Sequence, residues 1–183
     1  MNKIILLAAV TLSSLFASCQ KDSGKNNSNG YGNGPRTEVP AGIQGNWMYG
    51  NFSMTEYWSQ NPADYLGNAV QFAIAFKFNA DGTYEQYFTS STVSGTVVTY
   101  QQSVTKGTVE VDENKKTITT HANAAHYKRM QNGQLQEERD LAKSELTATT
   151  NYSYTSGTES NGVKAIYLKL NGTGNMVTFL QKF

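Results

Sequence analysis

Cysteine is nearly absent: the chain has 183 residues and one cysteine, Cys19. A lone thiol excludes an intrachain disulfide and a thiolate metal cluster. Histidine is almost as scarce. His121 and His126 are the only two, and an odd spacing puts them on opposite faces of a strand, so no shared metal is expected. Neither charge sign is in excess, with 15 Lys and Arg against 14 Asp and Glu. A nearly neutral chain has no electrostatic drive toward nucleic acid or anionic lipid. No apolar run is long enough for a permanent membrane helix: the longest, residues 4–10, gives way to Ser13 and Ser14. No Gly-x-Ser-x-Gly elbow occurs, and the carboxylates are scattered, with no pair that can be placed across a cleft. Glu137-Glu138-Arg139-Asp140 reads as a solvated face. Gly30-x-Gly32-x-Gly34 lacks the strand and helix that flank a phosphate loop, and Pro35 stands where the last glycine belongs. Catalytic residues, a metal and a cofactor are therefore not expected, and an enzyme is the least favoured class.

What is present begins at the amino end. Lys3 precedes the apolar run Ile4-Ile5-Leu6-Leu7-Ala8-Ala9-Val10, and small residues follow. A charged start, a short apolar stretch and a small-residue exit make up a secretory signal. It ends in Leu15-Phe16-Ala17-Ser18-Cys19. This stretch resembles the lipobox of bacterial lipoproteins. The resemblance implies a signal peptide over residues 1–18, cleavage before Cys19, and a diacylglyceryl thioether plus an amide-linked acyl chain on that cysteine. One acyl chain binds a membrane only marginally, at about 0.8 kcal/mol per buried methylene, so three would hold the protein durably.

Residues 19–40 are a different material. Gly, Asn and Ser dominate from Gln20 to Pro35, and large apolar residues are almost absent. Such a segment cannot offset its ordering entropy and is expected to be a flexible tether, with an r.m.s. span of about 25 Å. Lys21-Asp22 resembles the short charged motif that sends Bacteroidetes lipoproteins to the outer face of the outer membrane, although Ser23 follows where the fuller motif is acidic. Ordinary linker charge is the alternative. The expected location is a lipid-anchored position on the outer membrane, on either its periplasmic or its cell-surface face.

Residues 41–183 are expected to form one domain, and alternation dominates them. Val70, Phe72, Ile74, Phe76 and Phe78 fall on one side of a strand, with Gln71, Ala73, Ala75, Lys77 and Asn79 on the other. Asn79-Ala80-Asp81-Gly82 turns the chain into Thr83-Tyr84-Glu85-Gln86-Tyr87-Phe88. Further strands are read over 97–104, 109–111, 117–120, 125–130, 146–154, 163–170 and 176–183. Asn132-Gly133 is a two-residue hairpin signal, which favours strand over helix for 134–146. Residues 61–66 read as a helical turn covering one end. Eight to ten strands joined by tight turns, with little helix, predict an all-β antiparallel up-and-down meander closed into a barrel. Lys77, Glu85, Glu110, Lys164 and Lys169 within the strands exclude a lipid-facing exterior.

Ile43-x-Gly45-x-Trp47, followed by Phe76-Lys77-Phe78-Asn79-Ala80-Asp81-Gly82-Thr83-Tyr84, resembles the lipocalin-like domains of exported Bacteroidetes proteins. The resemblance covers residues 43–84, and beyond them only strand rhythm. It implies a barrel whose first strand opens at Gly45 and whose closed end is plugged by Trp47. Animal lipocalins carry a Thr-Asp-Tyr element, a disulfide and a last-strand arginine that this chain lacks.

Aromatic residues are abundant: eleven Tyr, eight Phe and two Trp. Two uses are open. Trp47, Tyr49, Phe72, Ile74, Phe76 and Tyr152 could line a cavity for a small amphipathic or hydrophobic ligand, or could simply fill the interior. Tyr57 and Trp58, expected at the barrel mouth, could form a patch for a protein or glycan partner.

Overall fold

The computed structural model describes residues 29–66 and 71–182. The signal peptide, Cys19, the Lys21-Asp22 motif and the tether as far as residue 28 lie outside the described residues. Nine antiparallel strands form one sheet: β1 (Gly45–Tyr49), β2 (Phe72–Phe78), β3 (Thr83–Ser94), β4 (Val97–Asp112), β5 (Thr117–Gln131), β6 (Gln134–Asp140), β7 (Thr149–Thr158), β8 (Lys164–Leu170) and β9 (Val177–Lys182). Among the described residues, helix is confined to α1 (Ala63–Leu66) and a 3-10 turn, Lys143–Glu145. The order is β4-β3-β2-β1-β9-β8-β7-β5-β6, and a further pairing joins β4 to β5. That pairing makes eight of the strands a hydrogen-bonded ring, with β6 attached outside it.

β5 does more than its neighbours. One edge pairs with β4 along its length, while the other takes β7 over residues 117–121 and β6 over 126–131. Between those two ladders residues 122–125 have no strand beside them. The connection from β6 to β7 covers the gap, with the Leu141 amide on the Ala125 carbonyl and the Ala122 amide on the Ala148 carbonyl. Arg139 secures this connection by gripping the Glu145 carboxylate with two nitrogens, at 2.7 and 2.8 Å. The 134–146 segment is thus strand to Asp140 and a 3-10 turn after it. The turn at Asn132-Gly133 uses positive φ at both residues, 46° and 78°, as a tight hairpin requires.

Two apolar clusters lie on opposite sides of the sheet. The first draws Trp47, Phe76, Phe78, Tyr84, Val109, Ile118, Tyr154, Ile166 and Phe179 into the ring, so every strand of the ring contributes to it, together with Val39 and Ile43 at one end. Trp47 is 1% exposed, and its indole donates to the Ile43 carbonyl. The second cluster lies on the outer face, where Met48, Ala73, Ala75 and Val104 meet Phe52, Tyr57 and Leu66. Residues 50–66 therefore cover the outside of the sheet. The helical turn expected to close one end lies here instead, because the outward positions of β2 are alanines and leave room for it.

The stretch expected to be free tether up to Pro40 is seated on the domain. The Asn123 side chain donates to the Gly30 carbonyl, and Tyr31 donates to Glu85. The Thr37 amide donates to the Val109 carbonyl, and Val39 is 1% exposed in the inner cluster. A few anchoring residues, not the average composition, decide that this segment orders.

Candidate functional site

The inner face carries a hollow. Above the filled end of the ring lies a cavity of about 270 Å³, walled by β3, β4, β5, β7 and the 141–147 connection. Period-two alternation aims Gln86 and Phe88 from β3, Ser103 and Thr105 from β4, and Thr150 and Tyr152 from β7 into it. These side chains are half-buried. The Tyr152 ring packs edge-on against Phe76, with centroids 5.7 Å apart, so Phe76 ties the cavity wall to the core. Burial pushes the Tyr152 hydroxyl up to about 12, which keeps it protonated and able to donate. Among the described residues no side chain or backbone group hydrogen-bonds to it. The cavity therefore presents amide, hydroxyl and phenol groups beside an aromatic wall. That arrangement can orient a small molecule by hydrogen bonds, while the Phe76 side takes its apolar part.

Of the six residues expected to line a cavity, the structure places all on the inner face but gives the cavity only one of them, Tyr152. Trp47 and Phe76 are 1% and 0% exposed and serve as filling. Tyr49 and Ile74 pack against the same cluster. Phe72 lies at the rim, 37% exposed, with its ring 5.1 Å from that of Tyr49. The β1–β2 side is thus packed solid, and the space lies on the β3–β4–β5–β7 side. Gln86, Ser103, Thr105 and Thr150 line the cavity without any aromatic signal in the sequence. Their alternation with outward residues was the available signal.

Tyr57 is not at a mouth and is not exposed. It is 2% accessible, on the outer face, with its hydroxyl on the Phe88 carbonyl and Thr89 and the Ser103 amide donating to it. Burial pushes its phenol well above the usual range. Trp58 is half-buried, and its indole stands edge-on to the His126 ring, 5.0 Å away. An exposed Tyr57–Trp58 patch is therefore not formed.

The histidines correct a second expectation. The β4–β5 register slips between Lys106 and Gly107, leaving Asn123 as an extra residue. His121 then faces Thr108 and His126 faces Val104, so the bulge returns both rings to the outer face. They remain separate. His121 Nε2 meets Glu110 at 2.8 Å, while His126 Nδ1 meets Asp140 at 2.8 Å and its Nε2 meets Glu138 at 3.4 Å. The Asp140 hydrogen bond, supported by Glu138, raises the His126 pKa above its usual value. Both nitrogens of His126 thus face carboxylates, an arrangement that favours the protonated ring. Among the described residues no group of His, Asp and Glu is arranged to hold a metal.

No protein-family model, curated protein or solved structure matches this chain.

Proposed function

We propose that the chain is an exported lipoprotein, anchored to an outer membrane by lipids on Cys19. Its ring of strands acts as a lipocalin-like barrel that carries a small amphipathic ligand and performs no catalysis. One observation carries this reading: Tyr152 lines a polar-walled hollow inside the ring with a hydroxyl that has no hydrogen-bond partner among the described residues. At about 270 Å³, the hollow lies just below the roughly 300–1,000 Å³ range of drug-sized sites, so it suits a ligand smaller than those. The lipobox resemblance at Cys19 supports the anchor, and the seated segment from Gly30 supports a short leash between anchor and domain.

Native mass spectrometry after mild extraction tests the carrier. The expected result is a bound non-protein mass that disappears in Thr105→Leu, which fills the hollow. Repeated recovery of bare wild-type protein overturns it. For the anchor, Cys19→Ser is expected to move the protein from the membrane to the soluble fraction; a variant that stays wholly bound refutes it.

A second reading, a surface module that binds a protein or glycan through its loops, is favoured by the hairpin tips. Val93 and Leu135 are 70% and 56% exposed there. The tips are tied together by the Asn132 amide on the Val98 carbonyl and the Val98 amide on Asn132 Oδ1. Capture of a partner that is lost in Val93→Ser with Leu135→Ser would establish it over the carrier.

A further inference from the structure

The outer face carries a hollow that the carrier reading does not use. It measures about 390 Å³ and lies between the covering loop that brings Trp58 and the region where the amino-terminal segment is seated. Its apolar surface comes from Val104, Ala124, Leu141 and the Trp58 indole. Small side chains create the space: Ala124 stands opposite Lys106, next to the row in which Val104 stands opposite His126. Two outward rows are about 7 Å apart along a strand, so the hollow has a lysine end and a tryptophan end.

The lysine end brings two ammonium groups beside one carboxylate. Lys106 Nζ stands 3.6 Å from Glu85, whose carboxylate already accepts hydroxyls from Tyr31 and Tyr87. Lys143 is exposed and donates to the Asn123 amide oxygen at 3.5 Å. Among the described residues it forms no ion pair. At the other end the imidazole of His126 lies between Asp140 and Glu138, which turns those carboxylates toward the histidine and holds the ring that backs Trp58. The hollow thus combines an aromatic and aliphatic floor with two ammonium groups: Lys143, in no ion pair among the described residues, and Lys106, shared with Glu85 and lying 5.4 Å from the centre of the Tyr31 ring.

We propose that this outer hollow is a binding site for a small organic anion, with its apolar body on Trp58, Val104 and Ala124 and its acidic group between Lys106 and Lys143. The site is separate from the inner cavity, and an occupant would reach it without entering the ring. It shares Leu141 with that cavity as a dividing wall.

Two fluorescent probes of nearly the same shape test this. 8-Anilinonaphthalene-1-sulfonate carries the acidic group; N-phenyl-1-naphthylamine has the same rings without it. The expected result is saturable binding of one sulfonate per protein, about fivefold tighter than the neutral amine, the effect of roughly one exposed ion pair. Lys143→Gln combined with Lys106→Gln is expected to bring the two affinities within about twofold of each other. Ala124→Leu, which fills the floor, is expected to abolish both. Thr105→Leu, which fills only the inner cavity, is expected to leave both intact, so this proposal and the carrier fail separately. Equal binding of the two probes by the wild type, an unchanged ratio in the lysine variants, or loss in Thr105→Leu overturns the proposal. Should Ala124→Leu fail to fold, Lys143→Gln alone decides, because that side chain is exposed and held by no ion pair.

Discussion

The Tyr31 hydroxyl donates a hydrogen bond to the Glu85 carboxylate, 54 positions further along the chain. This bond latches the amino-terminal segment to the outer face of β3. Glu85 is 8% exposed and also accepts from Tyr87. Burial alone would raise its pKa, but the two phenols together with Lys106 and Lys77 outweigh burial and bring it below the usual value. A carboxylate with a depressed folded pKa contributes stability above its unfolded pKa, near 4.5, and loses it as pH falls through the folded value. Tyr31→Phe is expected to destabilise the protein by about 1–2 kcal/mol at pH 7. In urea titrations the gap to wild type should narrow as pH falls below 4.5. A gap that is constant with pH would show that Glu85 does not feel the latch.

Gly82 holds the same segment at its other end. Its φ is +78°, and a Cβ there would lie 2.3 Å from the Thr37 carbonyl oxygen. Both facts require glycine. Gly82→Ala is expected to cost at least about 2 kcal/mol. It should also free the Thr37 amide, bonded to Val109, to exchange hydrogen faster than amides in β8. Unchanged protection at Thr37 would count against this account.

Tyr57→Phe removes a hydroxyl that serves Phe88, Thr89 and Ser103 at once. These partners are buried or half-buried, so water does not freely replace the phenol. The expected loss is about 2–3 kcal/mol in urea unfolding, with an unchanged m-value. A loss under about 0.5 kcal/mol, the usual scale for surface changes, would mean that the covering loop is not fastened there.

His126 gains carboxylate partners on folding and its pKa rises. Its pairing therefore contributes fully below the unfolded value of 6.5 and fades as pH climbs through the folded one. The groups facing it are Asp140 and Glu138 from β6, with Trp58 from the covering loop. NMR titration of the imidazole is expected to give a midpoint above 6.5 that falls in Asp140→Asn. The Trp58 indole resonance should move with the same midpoint. A wild-type midpoint at or below 6.5 would rule out this pairing.

Much of the sheet was legible along the chain. Strict alternation in Phe72, Ile74, Phe76 and Phe78 reported the inner face of β2, and Asn132-Gly133 reported the β5–β6 hairpin, because both signals are local. The outer cluster was hidden in plain alternation. Ala73 and Ala75 alternate with polar residues on the second side of the strand, yet alanine is apolar, and their small size is what lets Tyr57 and Leu66 pack above them. The bulge at Asn123 left no signal that spacing could detect, and it reversed the expectation for the histidines. Of the cavity wall only Tyr152 was legible, because Gln86, Ser103, Thr105 and Thr150 carry no aromatic signal and are brought together by strand pairing.

The amino-acid sequence by itself determined the antiparallel all-β character and the turns, since period-two patterning and positive-φ turn residues act within a few positions. Tertiary structure alone decided what the polar and small residues do. Tyr31, Val39 and Thr37 order a segment whose composition argues for disorder, because their partners lie far along the chain. The β4–β5 pairing decides which hydroxyls face a cavity and which lysines border a hollow, because it brings together side chains whose chemistry depends on neighbours that no local pattern specifies.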